Sequence, residues 1–184
     1  DLGRTFVASV EREPSALAIV DGELRLSYER WHEQILAVAA GLAELGLGKG
    51  DHLVSLLQNR WEAATLHWAC QHTGIVITPL NWRSKPAEVE YVLHDATARA
   101  VVYEGISQNA VLEASPAADL PRIGVGEGHD RTRSSADFGD LTNCPPSVDG
   151  PGAAWADLSL MLYTSGTTGN PKGVLLSHGN ITSS

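Results

Sequence analysis

Cysteine, basic side chains and long apolar runs are all scarce in this sequence, and each scarcity removes a class of protein. The two cysteines, Cys70 and Cys144, lie far apart. They make neither a disulfide framework nor a paired-cysteine metal knuckle, and a reducing cytoplasm is the expected setting. The longest apolar stretch covers only residues 35–43, whereas a helix that spans a bilayer needs about 20 residues. Residues 1–10 lack the basic head and long apolar centre of a signal peptide. Lysine and arginine total 13 against 22 acidic residues, a net charge of -9. Such a surface repels nucleic acid and anionic membranes, so no nucleic-acid partner is expected, and an anionic ligand must be held by local groups.

Metal and acid–base constellations are missing too. There are seven histidines, but their spacing makes no ligand cluster, and no metal ligand is assigned. His67 and His72 are five apart and share a helix face poorly. His94 and Asp95 read as a cap or polar surface pair, and His178 reads first as structural. Glu88 and Glu90 form the wet side of a helix rather than a catalytic pair.

What is present is enough for one ordinary core: 184 residues, 43% of them apolar. Residues 17–20 and 23–26 flank Asp21-Gly22, a hairpin turn signal. Ser27 can cap a helix over 28–45, whose apolar residues Trp31, Ile35, Val38, Leu42 and Leu45 recur at helical spacing. Gly46 is placed to end it. A strand over 52–57 leads to Asn59 as a cap with Glu62 three residues on. That helix runs to Thr73 and stops at Gly74. Strands follow at 75–80, 99–103 and 121–125, separated by a helix opened by Ser84 and Pro86 and a short helix over 109–114. Strands alternating with amphipathic helices predict an α/β fold, a layered parallel sheet with helices on both faces. Residues 126–152, rich in glycine and proline, read as a long exposed connection. Trp31, Trp61 and Trp68 fit packing positions, whereas Trp82 and Trp155 fall in irregular stretches and stay open as stacking residues.

After the connection, an apolar strand over 158–163 meets Thr164-Ser165-Gly166-Thr167-Thr168-Gly169-Asn170-Pro171-Lys172-Gly173, and a second strand signal follows at 174–177. Phosphate chemistry calls for such residues. Gly166, Gly169 and Gly173 remove bulk and permit positive φ, so bare N–H groups can converge on an anion. Thr164, Ser165, Thr167 and Thr168 add hydroxyl donors, Lys172 adds a mobile cation, and Pro171 restricts the backbone before it. The run is not a Walker A loop: no hydroxyl residue follows the lysine, and the loop leads to a strand instead of a helix. By composition alone, a flexible glycine- and threonine-rich turn is an equal reading.

The order of residues from Tyr163 to Val174 resembles the phosphate-loop signature of the adenylate-forming superfamily. That superfamily holds acyl- and aryl-CoA synthetases, peptide synthetase adenylation domains and firefly luciferase. Ser177-His178-Gly179-Asn180 resembles the segment that follows, and residues 45–51, 74–83 and 86–95 look like the first subdomain of acyl-CoA synthetases. Pro79-Leu80-Asn81-Trp82-Arg83, with Thr167 and Thr168, favours the CoA-ligase branch. The resemblance implies a first α/β subdomain over 1–152 and a strand–loop–strand segment over 153–184 that opens the next part of an AMP-binding domain. It implies two steps: a carboxylate attacks the α-phosphorus of ATP, giving acyl-adenylate and pyrophosphate, and the thiol of CoA then displaces AMP. Thr164, Ser165, Gly166, Thr167, Thr168, Gly169 and Lys172 would hold the β- and γ-phosphates, with Mg²⁺ nearby. Lys172 would neutralise the departing pyrophosphate, so catalysis is by charge and positioning. Several of the family's later signatures, for adenine, ribose and the adenylation lysine, are absent from these residues. They are therefore expected to be part of a longer protein and not to form acyl-adenylate by themselves. Alternatives are a peptide synthetase adenylation domain, a luciferase-like member, or, of another class, a truncated non-catalytic binding module.

Overall fold

The computed structural model describes residues 1–146, 152–164 and 171–183. A helix the sequence reading did not identify opens them: α1 (Leu2–Arg12), capped by the Asp1 carboxylate on the Arg4 N–H. Phe6 and Val10 anchor it to the core. An antiparallel hairpin follows, β1 (Leu17–Asp21) and β2 (Leu24–Ser27). Its turn lies one residue later than the sequence suggests, at Gly22 and Glu23, because Asp21 pairs with Leu24. Gly22 has φ +55°, a left-handed conformation that suits glycine.

Alternation of helix and strand then builds the main sheet. Ser27 caps α2 (Tyr28–Glu44) as its hydroxyl position predicts, accepting from the Arg30 N–H. Next come β3 (His52–Leu56), α3 (Trp61–Thr73), β4 (Val76–Pro79), α4 (Pro86–Asp95), β5 (Ala100–Glu104), α5 (Gln108–Glu113) and β6 (Arg122–Val125). Gly74 ends α3 at φ +78°. Asn59, expected as the α3 cap, is displaced by Arg60, which makes no side-chain cap bond. The Asp21 carboxylate takes the Trp61 N–H instead, at 2.9 Å. Glu62 is engaged by Arg60, not by the cap backbone.

The expected exposed connection holds more structure than its composition announces. It carries a single 3-10 turn (Arg131–Arg133), β7 (Ala136–Asp137) and the one-turn α6 (Phe138–Leu141). His129, Phe138 and Leu141 are buried. Elements this short have no measurable periodicity, so glycine and proline dominate the reading. Last come β8 (Leu158–Thr164), β9 (Lys172–Ser177) and α7 (His178–Thr182).

Among the described residues the strand order is β7-β6-β5-β3-β4-β8-β9. All neighbouring pairs are parallel except β8 with β9, which is antiparallel. Alternate side chains divide the apolar core between the two faces of the sheet, as the pleat requires. Leu53, Ile77, Val102 and Ile123 pack with α1, α2, α3 and α6. Val54, Leu56, Val101 and Tyr103 pack with α4 and α5. Covered on both sides, β3 and β5 read as mainly apolar runs, interrupted in β3 by Ser55, which is why they were found in the sequence.

Candidate functional site

Connections from adjacent strands leave this sheet on opposite faces: β3 leads to α3, on the face of the first cluster, and β4 to α4, on the face of the second. In open parallel sheets such a switch opens a crevice at the carboxyl ends of the strands, where ligands bind. A cleft of about 530 Å³ lies there, lined by Asp21, Gln58, Asn59, Arg60, Trp82 and Glu104. Arg60 pairs with the buried Glu62 at 2.7 Å and the buried Glu104 at 3.1 Å. Hydrogen bonding to Glu62 raises its pKa against the effect of burial. Its charge is thus already compensated, and neither Thr164 nor Lys172 is among the described residues that line this cleft. Trp82, left open as a stacking residue, has the Arg83 guanidinium 3.8 Å above its ring.

Of the predicted phosphate residues, Thr164 and Lys172 belong to the same rim, at the end of β8 and the start of β9. Strand β8 runs parallel to β4, so its last residue, Thr164, stands at the carboxyl edge. Lys172 opens β9 directly across from it. Opposed residues of an antiparallel pair project from one face, so a hydroxyl donor and an ammonium are set side by side, both exposed. Ser165, Gly166, Thr167, Thr168 and Gly169 lie outside the described residues. Gly173 pairs with Tyr163, and a side chain there would collide with Met161 and approach the Tyr163 ring. Its φ is not positive, so this glycine provides room for its neighbours rather than the left-handed turn expected of it.

Three residues make contacts at the ends of β8 and β9 that the sequence does not announce. Tyr163 donates to the Asp95 carboxylate at 2.6 Å, and Tyr91 donates to the Pro171 carbonyl at 3.0 Å. The two rings meet edge to face, 6.3 Å apart. Burial, then the hydrogen bond to Asp95, pushes the Tyr163 phenol well above its usual pKa. The available signal was the four-residue spacing of Tyr91 and Asp95, which puts both on one face of α4. From the sequence, Asp95 reads with His94 as a cap or polar surface pair, whereas it accepts from Tyr163.

His178 is fully buried, and its Nδ1 accepts from the Leu2 N–H at 3.2 Å. It sits at the opposite end of β9 from Lys172, in agreement with a structural role. Among the described residues no group of three or more His, Cys, Asp or Glu side chains could hold a metal ion. No described helix is long and apolar enough to cross a membrane.

The family model described as AMP-binding enzyme matches residues 6–184. A feruloyl-CoA synthase of Amycolatopsis sp. is 31% identical over 181 residues, covering 98% of this chain and 34% of the relative. The fatty acid–acyl-carrier-protein ligase ScoC of Streptomyces coeruleorubidus is 33% identical over 179 residues, covering 96% of this chain and 33% of the relative. A crystal structure of a putative long-chain-fatty-acid CoA ligase from Rhodopseudomonas palustris superposes with a TM-score of 0.86 at 26% identity, covering 98% of this chain and 45% of that one. The chain thus spans about a third of the length of the curated relatives it matches.

Proposed function

Because the chain belongs to the AMP-binding enzyme family, we propose that the protein carrying it is an ATP-dependent, AMP-forming carboxylate–CoA ligase. Residues from Thr164 to Lys172 would hold the β- and γ-phosphates of ATP. The observation that carries this reading is the opposed, exposed pair of Thr164 and Lys172 at the carboxyl edge of a parallel sheet. Such a pair fits a polyphosphate: the hydroxyl can donate to a phosphate oxygen, and the ammonium offsets charge on an otherwise acidic protein.

ATP loses pyrophosphate when the carboxylate attacks its α-phosphorus, and negative charge builds on the bridging oxygen. A cation already in place stabilises that charge without reorganising. Thr164 orients the polyphosphate, and Lys172 takes up the charge of the leaving group. Mg²⁺ would come with the phosphates rather than sit in a protein cage, as is usual for this ion. Carboxylic acid and CoA would be the other substrates, and the whole reaction belongs to the full protein rather than to these residues alone. Both cysteines are free, in keeping with a reducing cytoplasm.

In the whole protein, Lys172→Ala should slow adenylation, read by ATP–pyrophosphate exchange, at least about tenfold, the worth of a charge-assisted contact. Thioester formation from supplied acyl-adenylate should change little. Equal slowing of both half-reactions would refute the role given to Lys172. A carrier-protein thiol is a second acceptor to try, because one relative is named a ligase for acyl carrier protein. Offering CoA and a pantetheinylated carrier in parallel decides between them.

A further inference from the structure

We propose that Tyr91 and Asp95 are positioning residues for the nucleotide polyphosphate: from one face of α4 they fix both stems of the loop between β8 and β9. The inference rests on the phosphate-holding role given above to Thr164 and Lys172.

The two hydrogen bonds fall one on each stem. Asp95 accepts from Tyr163, the residue before Thr164. Tyr91 donates to the carbonyl of Pro171, the residue before Lys172. The helix end of each bond is rigid, because Val89, Val92 and Leu93 are buried against the sheet on the other side of α4. Edge-to-face contact of the Tyr91 and Tyr163 rings couples the two anchors. Gly173 leaves the space in which the Tyr163 ring can lie. Pro171 has no N–H, so its carbonyl is the main-chain group of that residue that a side chain can grip. A simple packing role for α4 needs the rings but neither the hydroxyl of Tyr91 nor the carboxylate of Asp95. Both polar groups instead end on residues adjoining the proposed phosphate ligands. Fixing two opposed residues before the ligand arrives lowers the ordering cost of binding. The effect should therefore be on ATP and not on the carboxylic acid.

The test uses the whole protein and titration calorimetry with MgATP, alongside steady-state KM values for ATP and for the acid. Tyr91→Phe keeps the ring and removes the donor; it should weaken MgATP about fivefold, the value of one neutral hydrogen bond. Asp95→Ala should do the same, and Asp95→Asn, which keeps an acceptor oxygen for Tyr163, should restore most of the loss. The KM for the acid and the melting temperatures of Tyr91→Phe and Asp95→Asn should stay at the parent values. Unchanged MgATP affinity in Tyr91→Phe and Asp95→Ala would overturn the inference, as would an equal rise in both KM values. Lys172→Ala in the same titration separates the two layers. If it weakens MgATP while the α4 variants do not, the positioning role fails and the phosphate reading stands. If it leaves MgATP binding intact, the phosphate reading fails first.

Discussion

Thr97 is the one non-glycine residue with positive φ among those described, at 48°, and it stands two residues past Asp95. Its amide bonds back to the His94 carbonyl, and that of Ala98 to Leu93, so it closes α4 in the left-handed position that glycine usually fills. A β-branched side chain is strained there. Thr97→Gly should raise stability by about 1 kcal/mol, less what glycine loses through its freer unfolded state. A higher urea midpoint with an unchanged slope would register it; a lower midpoint would mean that the threonine side chain contributes more than its backbone costs. At this scale the sequence was legible where a residue acts alone. Ser27 and Gly74 cap their helices as their chemistry predicts. It was opaque where a residue acts through a distant partner: Asp95 meets Tyr163 across 68 positions, and no local pattern encodes that pairing.

Helix α1 went unread as a whole element although Leu2, Phe6 and Val10 recur at helical spacing. What fixes it is a cluster of rings from elsewhere. Phe6 lies tilted against Trp68, ring centroids 4.7 Å apart, and meets Trp31 edge-on at 5.2 Å. Truncating a buried phenylalanine leaves a cavity that costs about 3–5 kcal/mol. Phe6→Ala should lower the free energy of unfolding by that order in chemical denaturation, whereas Arg4→Ala, at the same helix's exposed surface, should change it by under about 0.5 kcal/mol. The strands of the sheet's centre were read correctly because burial on both faces makes them mostly apolar, with Ser55 and Thr78 as buried exceptions. Edge strand β7 and helix α6 were read as loop because two to four residues cannot display a period. The hairpin of β8 and β9 was legible as two strands about a glycine-rich run, and the anchoring of that run by α4 was not.

Across the whole molecule, histidines that are buried (His178) or half-buried (His32, His52, His67) set the response to acid. Burial lowers the pKa of His32, His52, His67 and His178, helped at His32 by the neighbouring His72 and at His67 by His178. In the unfolded chain each titrates near 6.5. Above that value both states are neutral and stability is flat. As pH falls through about 6.5 the unfolded chain takes up protons that the folded one does not, so stability declines. Urea midpoints should match between pH 7 and pH 8 and fall from pH 6.5 toward pH 5, before ordinary carboxylates titrate. A flat profile down to pH 5 would show that these side chains charge freely in the folded state. The parallel sheet itself has a wider consequence, because its two rims are unlike. Ion pairs of Lys49 with Asp157 and of Arg99 with Asp51 clasp the rim where the strands begin. The rim where they finish carries the polar turns after β3 and β4 and, at the end of β8, Thr164. Substitutions along one border leave the clasps on the far border untouched, so a scaffold of this kind can vary one edge without relearning how to fold.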